Sequence, residues 1–252
     1  MTVYVHTGGK PDAEGPPVVF LHGAGGDHTV WRFQTRRLAH HGYHVLAPDL
    51  PGHGGSDGEP RESIEAWSDW FLSFLDERLD RPATVLGHSM GGLIAMQSAV
   101  HHPDPFERLV LVGSGRSMPV HPRLVEAARH DPALAAALIS GWSLPAADRG
   151  GHPEPGTWQK GGIEWLITRS RPGVLATDLA ACSACDVLVE EIQVPTEVVI
   201  GSDDRMVGRR AGEQLAAAIP GAAFHLIEGA GHDPMVQMPR TFNRLLDSFL
   251  GV

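Results

Sequence analysis

Cysteine is nearly absent: Cys182 and Cys185 are the two in 252 residues. Two thiols cannot form a disulfide framework, so the fold must rest on a hydrophobic core, and a reducing, cytoplasmic compartment is the simpler expectation. An excess of positive charge is missing as well. Lys and Arg number 20 against 30 Asp and Glu, a formal net charge of −10 with His neutral, a balance that does not attract nucleic acid or anionic lipid. No apolar run approaches the roughly 20 residues of a membrane span. The start, Met1 to Lys10, lacks the basic-then-apolar order of a secretory signal. No internal repeat is visible. What is present is 42% hydrophobic residues, enough for a sizeable core in a chain whose length suits a single α/β unit.

The apolar residues are organised in alternation. Pro17–His22, Tyr43–Asp49, Ala83–His88 and Arg108–Gly113 are short apolar runs. Between them lie helical patterns, Val30 to Ala39 and residues 62 to 79, the latter with Ile64, Trp67, Phe71, Phe74 and Leu75 on one stripe. Uniformly apolar strands separated by helices predict a mostly parallel sheet covered on both faces. The alternation stops at Ser114. Residues 115–193 carry an Ala-rich helical stretch (Leu124 to Leu138), a Pro/Gly-rich joint (Gly150 to Gly156), further helical stretches at Trp158 to Arg169 and Val174 to Cys185, and no clear strand. The sheet pattern resumes at Pro195–Gly201, followed by a helix from Arg209 to Ala218, a strand Phe224–Ile227 and a final helix. The expected organisation is a core of 1–114 and 194–252 with a helical cap, 115–193, inserted at a strand end where open α/β sheets bind ligands.

The strongest chemical signal is Gly87-His88-Ser89-Met90-Gly91, a G-x-S-x-G pattern between a predicted strand and a predicted helix. That junction forces a tight turn which lifts the serine hydroxyl above the sheet and places it at a helix N-terminus. A serine hydroxyl needs a base, and the base needs an orienting acid. Among 15 histidines, His232 sits in the glycine-flanked loop Gly229-Ala-Gly-His232 after the last strand. Asp203 and Asp204 follow the strand ending at Gly201, and either could be the acid while the other serves the turn. The glycine-rich His22-Gly-Ala-Gly-Gly26 can turn a main-chain N–H toward the serine. Ala24 is expected to be one oxyanion donor and Met90, just after the serine, the other. Loss of one such donor typically costs about 2.7 to 4 kcal/mol. The loop lacks G-K-[ST] and the dinucleotide spacing, so nucleotide binding is not expected.

With these segments, together with Asp49-Leu-Pro-Gly-His-Gly-Gly-Ser-Asp57 and Val194-Pro-Thr…Gly201-Ser-Asp-Asp204, the chain resembles the α/β-hydrolase superfamily over nearly its whole length, as a serine esterase-like member with a helical cap. The chain order Ser, Asp, His agrees with that fold. The resemblance implies Ser89 as nucleophile and His232 as base, and it selects Asp204 over Asp203, because the acid in that family falls three residues after the glycine of the turn. It also implies a leading antiparallel hairpin, which the short segment before residue 17 can form only in reduced shape. A serine nucleophile disfavours haloalkane dehalogenase and epoxide hydrolase chemistry, and His88 before the serine disfavours the meta-cleavage carbon–carbon hydrolases.

The expected function is therefore cleavage of a small-molecule carboxylic ester through an acyl-enzyme, without cofactor or metal, by a monomer or homodimer. Lactonase, thioesterase and carbon–carbon hydrolase share the triad, and a ligand-binding receptor with vestigial turnover is the rival from another class. Trp31, Trp142 and Trp165 are the candidates to line an apolar substrate pocket. Cys182-Ser-Ala-Cys185 lacks a second ligand pair and reads as small apolar residues on a helix. His53 reads as structural, and His40-His41 and His101-His102 carry no assigned role.

Overall fold

The structure, a computed structural model, describes residues 2–11, 13–146 and 158–251; the joint Gly150 to Gly156 lies outside them. Val18 and Phe20 point to one side of their strand and Val19 and Leu21 to the other, and all four are fully buried. A strand with two buried faces needs a layer on each. Seven strands satisfy this: β1 (Val5–His6), β2 (Pro17–Leu21), β3 (His44–Pro48), β4 (Ala83–His88), β5 (Phe106–Val112), β6 (Thr196–Gly201) and β7 (Ala223–Ile227). They pair in the order β1-β3-β2-β4-β5-β6-β7, parallel throughout except for β1 against β3. The leading hairpin is reduced to that two-residue β1 among the described residues.

One face of the sheet packs Val19, Leu21, Val85, Leu109, Leu111 and Val198 under α2 (Ile64–Arg78), α3 (Met90–His101) and, beyond the helices described below, Arg209–Ala218. Ser63 starts α2 by accepting a hydrogen bond from the N–H of Ala66 at 3.2 Å. The other face packs Val18, Phe20, Val45, Leu86, Val110 and Val199 under α1 (Arg32–His40) and the final helix Pro239–Leu250.

Between β5 and β6 lie α4 (Pro122–His130), α5 (Pro132–Ser143), α6 (Gln159–Thr168) and α7 (Val174–Ala184). The stretch Leu124 to Leu138 is thus divided into two helices. Pro132 has no N–H to continue α4 and holds Asp131 out of helical geometry, at φ −145°, ψ 81°. Asp131 then caps α5 through the N–H of Leu134 at 3.0 Å. These helices share a small core of their own, built on Leu124, Ala135, Ile167, Leu175 and Leu179. Polar ties join them to the sheet: Arg169 bridges to Asp27 at 2.9 Å, and Arg171 donates to the carbonyls of Ser56 and Gly58. The remaining helices are α8 (Arg209–Ala218), the single turn α9 (Pro234–Gln237) and α10 (Pro239–Leu250). No described helix is long and apolar enough to cross a membrane.

Candidate active site

The turn between β4 and α3 places Ser89 at φ 53°, ψ −119°, the one positive-φ residue other than glycine among those described. A side-chain-bearing residue holds that conformation only where its surroundings impose it. Here the N–H of Ser89 donates to Val112 O at 2.9 Å, and its own carbonyl accepts from Gly92 N at 2.9 Å and from Ser114 Oγ at 3.1 Å. Strand and helix close on each other so tightly that a Cβ on Gly91 would stand 2.5 Å from Leu21 O. Met90 opens α3, so its N–H has no partner within the helix.

His232 and Asp204 leave β7 and β6 at the same sheet edge. His232 Nδ1 lies 3.0 Å from Asp204 Oδ2, with both side chains buried. The other carboxylate oxygen, Oδ1, accepts from the N–H groups of Met206 at 2.8 Å and Val207 at 3.0 Å. A carboxylate beside Nδ1 keeps the proton there and leaves Nε2 as the acceptor. Burial works against charge on His232, but Asp204's charge and hydrogen bond outweigh it, and its pKa is raised above the ordinary histidine value. Asp204 shows the mirror image: burial raises it, and His232 with the two backbone donors brings it below the carboxylate norm. Asp203 is exposed and belongs to the turn.

The loop after β2 is tied down at its start by His22. Its Nδ1 donates to Gly23 O at 2.9 Å and its Nε2 accepts from Leu50 N at 3.0 Å, a pattern that requires the neutral ring. Burial, reinforced by His53, accordingly holds its pKa down at about 4. The N–H of Gly26 closes the turn onto Gly23 O at 3.1 Å, and among the described residues the N–H of Ala24 meets no acceptor.

Ser89, His232 and Ala24 together line two adjoining cavities. The larger, about 620 Å³, runs past Phe33, Ile163, Trp158 and Trp165. The smaller, about 390 Å³, is walled by Met118, Leu124 and Trp142. Both lie within the size range of small-molecule sites, about 300 to 1,000 Å³. Trp165 lines the larger cavity and Trp142 the smaller. Trp31 lines neither. It is fully buried in the layer of α1 and α10, against Phe20 and Phe242, with its indole N–H donating to Leu21 O at 3.2 Å. Its burial follows from its place in a helical turn immediately below β2, which spacing alone does not reveal.

Three further residues at the site were not singled out from the sequence. Ser143, the end of α5, accepts the N–H of His232 on its carbonyl at 2.9 Å. Asp233 lies on the larger cavity wall, 3.5 Å from His88 Nε2, and burial with the neighbouring Asp204 charge pushes it up to about 6 against the pull of His232. Asp178 on α7 accepts the N–H of Gly25 at 2.8 Å. The available signal was its position: a lone carboxylate in the Ala-rich run Val174 to Ala184 must find a partner if that helix is buried.

Donor sets for a metal are few. Among the described residues Asp27, His28 and Asp49 form one cluster, but its oxygens are already engaged by backbone N–H groups, by His28 and by Arg169. Cys182 and Cys185 are buried free thiols, and burial raises both pKa values, that of Cys185 to about 12. Neither offers a thiolate near neutrality.

Residues 18–245 match the family described as the alpha/beta hydrolase family, and the chain belongs to it. A pimeloyl-[acyl-carrier protein] methyl ester esterase of Chromobacterium violaceum is 31% identical over 265 residues, covering 99% of this chain and 98% of that protein. The solved N-acyl homoserine lactone degrading enzyme Est816 superposes with a TM-score of 0.83 at 27% identity, over 98% of this chain and 96% of its own. The enol-lactonase of Burkholderia xenovorans LB400 shares the fold with a TM-score of 0.89 at 24% identity, over 99% and 96% of the two chains. At the level of the family, this is a hydrolase.

Proposed function

We propose that the protein is a carboxylic ester hydrolase using Ser89, His232 and Asp204, with residues 115–193 as a cap over the reacting groups. The observation that carries this is the meeting of the strained Ser89 turn and the Asp204–His232 pair at the junction of two cavities. His232 Nε2 takes the proton of Ser89 Oγ as that oxygen bonds to the ester's acyl carbon. The carbonyl oxygen becomes an oxyanion, held by the N–H groups of Ala24 and Met90. On collapse the bond to the alcohol oxygen breaks and His232 returns its proton to it. Water, deprotonated by His232, then attacks the acyl-enzyme; Ser89 regains its proton and the carboxylic acid leaves. Asp204 holds the imidazole in the productive tautomer throughout. Trp165 lines the larger cavity and Trp142 the smaller, and both cavities reach Ser89, which suits a small molecule with apolar groups on both the acyl and the alcohol side. The methyl ester and lactone substrates named for the relatives belong to the same carboxylic ester chemistry.

Steady-state kinetics on p-nitrophenyl esters of increasing acyl length, run in parallel on the wild type and Ser89→Ala, test this. The expected loss in the variant is on the order of 10⁴-fold or more in kcat, with kcat/KM of the wild type rising through a pKa above 6.5 because His232 is raised. Turnover surviving in Ser89→Ala defeats the proposal. Slow turnover with tight retention of ligand would favour a receptor instead.

A further inference from the structure

We infer that Asp178, on the helical segment, is a positioning residue for the oxyanion loop: it holds the N–H of Gly25 so that the preceding N–H, that of Ala24, is left for the substrate. The inference rests on the ester hydrolase reading above.

The loop Gly23–Gly26 belongs to no strand or helix and is bent by a positive φ of 63° at Gly25. Little within its own backbone fixes it beyond the Gly26-to-Gly23 bond. His22 holds Gly23 O at the start of the loop, and what fixes Gly25 comes from 153 residues away. Asp178 Oδ2 accepts the Gly25 N–H at 2.8 Å, and Leu175 and Ile167 press so closely that a Cβ on Gly25 would lie 3.0 and 3.3 Å from them. A hydrogen bond to a carboxylate is about twice as strong as one between neutral groups, and this one is fully buried.

The same oxygen accepts from His53 Nε2 at 2.7 Å, with both side chains fully buried. His53 Nδ1 faces Pro51 O at 3.1 Å, so both ring nitrogens donate and the ring is an imidazolium. The Asp178 carboxylate thus lies between the Gly25 N–H and the His53 ring. Its second oxygen, Oδ1, has no hydrogen-bond partner among the described residues. A buried ion pair with one oxygen unsatisfied adds little stability over an apolar pair. Its use is directional: it places a negative charge against one particular backbone N–H. Docking of the cap and completion of the oxyanion site are then a single event.

Two double variants isolate the contact. His53→Gln with Asp178→Ala removes the acceptor and the imidazolium together, leaving no lone buried charge; His53→Gln with Asp178→Asn restores an oxygen for Gly25. Both are assayed on p-nitrophenyl butyrate and for inhibition by a trifluoromethyl ketone, which becomes a tetrahedral oxyanion on Ser89. The alanine variant is expected to fall about tenfold or more below the asparagine variant in kcat, since an oxyanion donor acts chiefly in the transition state. KM should change less than about twofold, and ketone affinity should fall by the same factor as kcat/KM. Equal kcat in the two variants overturns the inference, as does a change carried by KM, which is what a merely loosened cap would give. Should the alanine variant not fold, His53→Gln with Asp178→Leu, which keeps the side-chain volume without an acceptor, takes its place against the asparagine variant, where equal kcat overturns the inference and a loss of about tenfold or more at nearly constant KM supports it. Ser89→Ala separates the two levels. Abolished turnover there beside equal kcat in the pair removes the positioning role alone, whereas retained turnover removes the hydrolase reading as well.

Discussion

Replacing Asp204 by asparagine keeps the shape of the side chain and inverts the proton logic of His232. The Oδ1 position faces two donors, the N–H groups of Met206 and Val207 at 2.8 and 3.0 Å. The asparagine oxygen must stay there, because an amide NH₂ in its place would set donor against donor. The NH₂ is then directed at His232 Nδ1, which lies 3.0 Å from the present Oδ2. Nδ1 becomes an acceptor, the ring proton moves to Nε2, and the nitrogen proposed to take the Ser89 proton can no longer accept. The equivalent tautomer error in a serine triad lowers kcat by about 10⁴, or roughly 5.4 kcal/mol at 1.36 kcal/mol per tenfold. Because the two backbone bonds survive, thermal stability should change far less than activity. Single-turnover and steady-state rates on a p-nitrophenyl ester, with a melting curve on the same sample, measure both. A second consequence concerns pH. In the proposed mechanism His232 is the base and must be neutral, so activity should rise as pH climbs through its raised pKa; without the Asp204 charge the burial effect prevails and any residual activity should rise at lower pH. A loss below tenfold in kcat, or an acid limb that stays in place, would refute the reasoning.

Trp31 and Trp165 should separate cleanly. Trp31→Ala is expected to destabilise by about 3 to 5 kcal/mol in urea unfolding, as a fully buried aromatic does, whereas Trp165→Ala should leave the unfolding midpoint near the wild type and alter KM most for the longer acyl chains. Gly91→Ala drives a Cβ against the Leu21 carbonyl, so soluble yield and kcat should both collapse; a well-folded, active variant would show that strand and helix can part. His53 is buried among Asp178, Asp49 and His22, and although burial lowers its pKa, the Asp178 charge raises it above the ordinary value. A group raised on folding contributes its stability fully below its unfolded pKa, about 6.5, and loses it as pH climbs through the folded value. The stability difference between the wild type and His53→Gln, read from urea melts, should therefore be largest below pH 6.5 and shrink above it; a difference independent of pH would contradict the imidazolium assignment.

Much of this protein is written in short-range patterns. The runs Pro17–His22 and Ala83–His88 specify buried strands because β-branched and apolar side chains on both faces admit no other environment. The G-x-S-x-G turn specifies a raised serine because the glycines beside it permit a backbone approach that no other residue would. Even the division between α4 and α5 at Asp131-Pro132 is local, since proline restricts its predecessor wherever it stands. Other features have no local trace. Trp31 resembled a pocket residue until packing placed it beneath β2, and Asp178 is one carboxylate in an alanine-rich helix until the chain brings it to Gly25 and His53. Backbone propensity and side-chain alternation act over a few residues, and so the sequence by itself determined the elements and the residue types the chemistry needs. Which distant groups share a buried space depends on how whole layers pack, and there the energy of a single contact, such as a carboxylate on one N–H, is decided by everything that excludes water around it. That part belonged to the tertiary structure alone.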